Sequence, residues 1–167
     1  MRNRWTAACL FTLISLAAGC ASVTKFSYRV TYPEPVNVDD IVGATVSVLQ
    51  DSGYNVAVLN EKLGLVTTEW KSLTSGGSQA AQMIFLGSAD TRRIKLSINV
   101  LKPSKMIKIS PTVERQTSSF YGAQAPAEVT MNEAEKAAVR KLGERILASL
   151  NLDPSKLEIY QEDQSMQ

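Results

Sequence analysis

Few residues of this sequence could do chemistry, and Cys20 is the most distinctive of them. Histidine is absent from all 167 residues, and there are only two cysteines, Cys9 and Cys20. Zinc, haem and Cys/His nucleophiles therefore lack the side chains they need. The serines and carboxylates show no spacing typical of a triad or dyad, and a serine nucleophile without histidine would need lysine as its base. We predict that the protein is not an enzyme and holds no metal and no cofactor.

Cys20 follows a stretch typical of a secretory signal peptide. Arg2 and Arg4 form a short cationic head, and a mostly apolar run then extends to Leu16. The run is shorter than the ~20 apolar residues that a membrane-spanning helix needs. The stretch Leu16-Ala17-Ala18-Gly19-Cys20 resembles the lipobox of bacterial lipoproteins.

This resemblance implies cleavage after Gly19 and a diacylglycerol on the sulfur of Cys20, which would anchor the protein to a membrane. In lipoproteins of Gram-negative bacteria, aspartate after the lipidated cysteine favours retention in the inner membrane, and here the residue is Ala21. The resemblance thus implies the periplasmic face of the outer membrane. An ordinary secreted protein, in which Cys20 follows the cleavage site by chance, is the alternative. Cys9 would leave with the signal and Cys20 would carry lipid, so we expect no disulfide.

We therefore expect four segments along the chain. Residues 1–19 form the signal peptide, 20–25 the lipidated cysteine and a short tether, 26–151 a single α+β domain and 152–167 a polar C-terminal tail. Loss of Arg2 and Arg4 cancels the net charge of +2. A neutral domain lacks the basic excess that phosphate backbones require, so we predict no nucleic-acid partner.

Hydrophobic periodicity predicts a strand and then a helix at the start of the domain. Phe26 to Tyr32 alternates apolar and polar residues with period two. Asn37 is a suitable N-cap, and Gly53 lies where a C-terminal glycine is expected. The helix between them is predicted to bury one face, formed by Val38, Ile41, Val42, Thr45, Val48 and Leu49.

Several strands are predicted to follow. Residues 54–60 and 65–71 fit a hairpin that turns at Gly64, residues 72–78 fit a polar connector, and residues 79–86 fit an apolar strand. The clearest pairing is a hairpin that turns at residues 102–105. One register there places four apolar pairs on one face: Ile94 with Val113, Leu96 with Pro111, Ile98 with Ile109 and Val100 with Ile107.

The opposite face of this hairpin is predicted to be polar. It pairs Arg93 with Glu114, Lys95 with Thr112, Ser97 with Ser110 and Asn99 with Lys108. Pro111 points to an edge position in the sheet, because proline cannot donate to a ladder.

The remaining sequence predicts a long loop and a second helix. Residues 116–129 are rich in small residues and proline and carry Phe120 and Tyr121. Thr130-Met131-Asn132-Glu133 fits a capping box. The buried stripe of the helix is predicted to contain Ala138, Val139, Leu142, Ile146 and Leu150. After Asp153-Pro154, one further helical turn could form around Leu157.

The element order β-α-β-β-β-β-α predicts an α+β, two-layer fold, in which an antiparallel sheet of about five strands carries two helices on one face. Together with the lipobox, the stretches Gly53-Tyr54-Asn55-Val56 and Leu65 to Trp70 make the chain resemble a single helix-grip domain of a lipoprotein component of the outer-membrane β-barrel assembly machine. This resemblance implies a role in envelope assembly, with one or more envelope proteins as partners.

Two groups of residues are candidate contact sites. The first is a basic run without an acid between Asp90 and Glu114: Arg92, Arg93, Lys95, Lys102, Lys105 and Lys108. It could face anionic lipid head groups or an acidic partner, or it could be a solvated strand face in which lysines protect an edge. The second group, Trp70, Phe120 and Tyr121, could dock a partner, because aromatic residues dominate interface hot spots. Alternatively, the loop could fold its aromatic rings back onto the sheet.

The sequence thus predicts a non-catalytic, lipid-anchored periplasmic lipoprotein that acts as an interaction or assembly module in the cell envelope. The alternative is an envelope module that binds an apolar ligand or a lipid, because helix-grip folds can hold a lipid between sheet and helix.

Overall fold

The computed structural model of the protein describes residues 23–33, 36–74, 79, 82–84 and 86–162. The predicted signal peptide, lipobox and Cys20 lie outside the described residues, as do residues 75–78 of the predicted connector.

A long antiparallel hairpin forms the centre of the sheet. Strands β5 (Ser88–Leu101) and β6 (Met106–Ser119) pair along their whole length. The predicted register is confirmed, because Ile94 lies opposite Val113 and Arg93 lies opposite Glu114. The apolar pairs are buried and the polar pairs are only partly buried, so one face of the hairpin carries the core and the other faces solvent.

The turn of this hairpin accommodates Pro103 at its first central position. Lys105 N–H donates to the Lys102 carbonyl at 3.2 Å, and Lys105 has a φ of 47°. A residue with positive φ after such a turn realigns the two strands, so a hairpin with proline in the turn can close.

The predicted edge position of Pro111 holds only locally, because β6 as a whole is an interior strand of the sheet. The N–H of Leu96, which lies opposite Pro111, donates to Thr68 Oγ1 at 3.0 Å and hence points away from β6. The nitrogen of Pro111 therefore points away from β5. On that side β6 pairs with other strands only up to Ile109 and again from Glu114. The proline thus lies in a gap of the ladder and costs no hydrogen bond.

Nine strands make up the sheet of the described chain, and every pairing is antiparallel. The main path runs β2-β3-β5-β6-β1-β9, with β4 beside β5 and both β7 and β8 beside β6. The ranges of the other strands are β1 (Lys25–Thr31), β2 (Val56–Asn60), β3 (Leu65–Thr68), β4 (Lys71–Ser72), β7 (Gly122–Ala123), β8 (Ala127–Glu128) and β9 (Glu158–Glu162). The architecture is α+β, as predicted, with more strands than expected: three of them contain only two residues, and β9 lies in the predicted tail.

Helix α1 (Val38–Asp51) follows the sequence prediction closely. Asn37 is the N-cap and its side chain accepts from Asp39 N–H, while Gly53 has a φ of 73° just beyond the C-cap Ser52. The six apolar and threonine positions predicted to be buried are the buried positions of this helix. They join the strands in a single hydrophobic core.

Helix α2 (Glu133–Ser149) begins with a different capping box from the one predicted. The reciprocal bonds join Asn132 and Glu135, not Thr130 and Glu133. The stripe that this helix buries also differs from the prediction: Val139, Leu142 and Ile146 are buried as expected, and Glu135, Gly143 and Leu147 join them. Ala138 is exposed and Leu150 is only partly buried, because the stripe is rotated toward Leu147.

Three segments differ from their predicted state. Residues 116–129, predicted as a long loop, contain the end of β6 and the short strands β7 and β8. Residues 79, 82–84 and 86 are helical, whereas the sequence predicts a strand over residues 79–86. Residues 158–162, predicted to belong to a polar tail, form β9 and pair with β1. A 3-10 helix (Pro154–Lys156) leads into β9 and places Leu157 in the core, where it is 4% exposed. The domain therefore continues past residue 151 to Glu162.

Candidate functional site

The far end of the β5–β6 hairpin carries large, exposed apolar side chains. Phe120 and Tyr121 form the two-residue turn between β6 and β7, and they are 72% and 102% exposed. The predicted exposure of these two aromatic residues is confirmed, and the alternative, in which the loop buries them, is wrong.

Ile84 and Leu86 add to the same end of the molecule. Both are more than 70% exposed and lie in the helical turn that ends at Gly87, whose N–H bonds the Met83 carbonyl. The ring of Phe120 passes over Gly87, since a Cβ placed on this glycine would be 3.5 Å from Phe120 Cε2. We call Ile84, Leu86, Phe120 and Tyr121 the apolar tip.

The apolar tip lies at the end of the sheet where the described chain begins. Lys25, the first residue of β1, forms an ion pair of 3.2 Å with Glu128, which lies opposite Glu114 of β6. From Glu114, β6 continues to Ser119, which extends it by about 17 Å. The tip thus projects beyond the first strand, on the side from which the N-terminal segment enters the domain.

Sequence reasoning missed half of the tip. Ile84 and Leu86 alternate with other residues in an apolar run, and this pattern is typical of a buried strand. A run of this length fits a buried strand or a helical segment equally well by periodicity. The absence of charge from residues 75–89 and 116–126 is the signal that could have linked the two segments.

The basic run does not form one surface. Arg92 and Arg93 are successive strand residues and point to opposite faces of the sheet. Arg92 binds Glu135 on the helix side, with Nε to Oε1 at 2.6 Å and Nη2 to Oε2 at 2.8 Å. Arg93 binds Glu114 on the open face at 2.7 Å, as the register predicted.

The other cations of the run are also separated. Lys108 forms an ion pair of 2.7 Å with Glu162, whereas Lys102 and Lys105 lie in the hairpin turn, away from the apolar tip. Lys95 lies on the open face, opposite Thr112. At least three of the six cations are therefore paired with carboxylates, which neutralises half or more of the positive charge expected to attract anionic head groups.

Trp70 does not join the other two predicted aromatic residues. Its ring is partly buried and lies 4.8 Å from the guanidinium of Arg93, in a cation–π contact. This contact places Trp70 beside Arg93 of β5, in the middle of the sheet. The apolar tip lies beyond the first residue of that strand, so Trp70 is separate from it. Trp70 supports the Arg93–Glu114 pair and is not part of an exposed docking patch.

Two charge-paired groups have shifted pKa values near these surfaces. Hydrogen bonds from Arg115 and Thr117 lower the pKa of Asp90 at the base of the apolar tip. Burial would raise the pKa of Glu135, but the bonds from Arg92 and from Asn132 N–H outweigh it and lower the pKa below its ordinary value. Both carboxylates are therefore charged at neutral pH and act as ion-pair partners.

Three cavities formed by described residues open at the surface. One of about 240 Å³ is lined by Arg29 and Tyr160, one of about 360 Å³ by Lys71 and Arg145, and one of about 310 Å³ by Arg92. Each is lined by two or more charged side chains, which fits a polar ligand better than an apolar one. The described residues contain no cluster of acidic or thiol side chains suited to a metal ion, and none of their helices has the length and apolarity needed to cross a bilayer.

Comparison with protein-family models and with curated proteins found no match to this sequence.

Proposed function

We propose that the protein is a lipid-anchored, non-catalytic module of the bacterial cell envelope that uses its apolar tip to dock a protein of the same membrane. The signal-like head, the apolar run and the lipobox ending at Cys20 support the anchor and a position on the periplasmic face of the outer membrane. The α+β architecture supports the proposed helix-grip-like domain and the likeness to a lipoprotein of the β-barrel assembly machine.

The observation that carries the proposal is the position of the apolar tip. Four large apolar side chains are exposed together at the end of the sheet where the chain enters β1. Between a lipidated Cys20 and Lys25 the chain spans at most about 17 Å. A domain held on so short a tether keeps this end of the sheet within reach of the bilayer.

The composition of the tip favours a protein partner over the lipid surface itself. Residues 116–126 contain no charged side chain, and Arg115 at the base of the tip is paired with Asp90. A surface that binds anionic lipid uses unpaired lysine and arginine residues. Exposed aromatic anchors such as Phe120 and Tyr121 are instead typical of the centres of protein interfaces.

Photo-crosslinking in living cells tests this proposal. A photoreactive residue at position 84 should give one discrete crosslinked membrane protein, and the double variant Phe120→Ala, Tyr121→Ala should abolish it. Leu63→Ala is the matched control, because Leu63 is 69% exposed in the turn between β2 and β3. The control variant should leave the crosslink unchanged.

Two results would contradict the proposal. Crosslinks to lipid alone, with no protein product, would contradict the protein partner. Fractionation of the Cys20→Ser variant tests the anchor separately, since this variant should leave the membrane fraction if Cys20 carries the lipid. Retention in the membrane would contradict lipidation and leave the docking result unaffected.

A further inference from the structure

A basic pocket lies on the helix side of the molecule, far from the apolar tip. It is the cavity of about 360 Å³ between the C-terminus of α1, strand β4 and the outer face of α2. Its lining consists of Ser52, Tyr54, Lys71, Ala138, Lys141, Leu142 and Arg145. The lining thus contains three cations and no carboxylate.

Ser52 fixes the positions of two of these cations. Lys71 Nζ donates to the Ser52 carbonyl at 2.5 Å and lies 4.3 Å from the centre of the Tyr54 ring. Arg145 Nη1 donates to Ser52 Oγ at 2.7 Å. Ser52 is held in turn by its own bond to the Val48 carbonyl at 2.7 Å. Side chains from the segment that follows α1, from β4 and from α2 therefore converge on one opening.

The C-terminus of α1 alone does not account for the three positive charges of the basic pocket. The C-terminus of a helix carries the equivalent of about half a negative charge, which attracts cations. Three cations exceed that charge several-fold. Within the part of the chain that the structure describes, Lys71, Lys141 and Arg145 form no ion pair, whereas Arg29, Arg92, Arg93 and Lys108 each have a carboxylate partner.

We propose that the basic pocket binds the phosphate group of a ligand. A phosphate dianion balances three cations better than a single carboxylate does, and arginine with lysine is the usual combination for phosphate recognition. The phenol of Tyr54 adds a hydrogen-bond donor, since burial raises its pKa and keeps it protonated. Ala138 and Leu142 provide an apolar wall for the carbon skeleton that carries the phosphate.

The phosphate could belong to a small soluble ester or to the head group of a phospholipid, because both present the same anion. This inference does not depend on the proposed function, since it uses neither Cys20 nor the apolar tip.

Titration of the purified full chain tests the pocket. Inorganic phosphate and glycerol 3-phosphate are the soluble probes, followed by calorimetry and by thermal unfolding, because a ligand of the folded state raises the Tm. Vesicles of phosphatidylglycerol, compared with vesicles of phosphatidylcholine, test the lipid source. Lys141→Ala and Arg145→Ala should each weaken binding about tenfold.

Lys102→Ala is the matched control, because Lys102 is an exposed lysine in the β5–β6 turn and lies outside the basic pocket. It should bind like the wild type. Lys141 and Arg145 are exposed, so both variants should fold, and circular dichroism checks this.

The proposal is supported if the two pocket variants weaken binding of the soluble probes or of the phosphatidylglycerol vesicles. The probe whose binding is weakened identifies the source of the phosphate. Absence of binding by all probes, or binding that both pocket variants retain, overturns it.

Discussion

Arg92 and Glu135 join the centre of the sheet to the first turn of α2 through two parallel hydrogen bonds of 2.6 and 2.8 Å. Arg92 also donates to the Thr130 carbonyl at 3.2 Å, and Glu135 closes the capping box with Asn132. Glu135 is only 8% exposed. The pair therefore links the start of the helix to the strand that positions the apolar tip.

Arg92→Ala should lower the free energy of unfolding by about 2 kcal/mol, because it leaves the carboxylate of Glu135 buried without its partner. Arg93→Ala is the comparison, since its ion pair with Glu114 is closer to solvent and should contribute about 1 kcal/mol or less. Urea unfolding of both variants measures the difference. Equal losses would contradict the structural role of the buried pair.

The same pair predicts how stability depends on pH. Glu135 has a lowered pKa in the folded protein, so its contribution is present above the ordinary value of 4.5 and is lost as the pH falls through the folded value. Glu135→Gln should remove part of the acid sensitivity. Urea midpoints measured between neutral pH and acidic pH, for wild type and variant, should converge as the pH falls. Parallel curves would rule out this role for Glu135.

Gly64 is required by the turn between β2 and β3. Its φ is 63°, and a Cβ at this position would lie 2.8 Å from the Val100 carbonyl oxygen and 2.9 Å from Val100 Cβ. Gly64→Ala should cost more than about 2 kcal/mol, since it combines a left-handed backbone with a steric clash.

Gly43→Ala is the matched control for this glycine. Gly43 lies in the exposed part of α1 with no atom within 4 Å of an added Cβ. The control should raise stability by about 0.5–1 kcal/mol. In thermal unfolding, the Tm of Gly64→Ala should therefore fall and that of Gly43→Ala should rise. A shift of both Tm values in the same direction would be inconsistent with a left-handed backbone and a close approach to Val100 at Gly64.

Leu157 is a core residue of the structure, although the sequence places it in the predicted tail. Its Cδ2 lies so close to α2 that a Cβ on Gly143 would meet it at 2.7 Å. Leu157→Ala should cost about 2–4 kcal/mol. Ile159→Ala in β9 should cost less than about 1 kcal/mol, because Ile159 is 44% exposed. Chemical denaturation measures the free energy of unfolding of both variants. Equal losses would show that Leu157 does not hold the C-terminal segment on the core.

The sequence predicts best where a local pattern and its packing agree. The β5–β6 register followed from the alternation of Ile94 to Val100 against Ile107 to Val113, because a shift by one residue would expose every apolar pair. The buried face of α1 followed equally well, since its apolar residues recur at helical spacing between the N-cap Asn37 and Gly53.

Prediction failed where a distant partner decides the structure. The sequence of β9 is polar, and it becomes a strand because β1 offers an unpaired edge: Arg29 lies opposite Glu158, and its guanidinium covers the ring of Tyr160 at 4.4 Å. Local periodicity contains no information about that edge.

The candidate sites show the same limit. Phe120 and Tyr121 stand out in the sequence from their small and polar neighbours, whereas the basic pocket could not be found, because Lys71 and Arg145 are far apart in sequence and meet only when Ser52 caps α1.

The pairing of β1 with β9 has a consequence for folding. Strand β1 lies between β6 and β9, so the first strand of the described chain obtains its second neighbour from the last one. Such a contact closes a loop that contains nearly the whole domain, and contacts between distant segments form slowly. Until β9 docks, the amides of β1 on that side stay open to solvent and to strands of other molecules. A chain that crosses a membrane N-terminus first would thus carry an exposed β-edge until its last strand arrives.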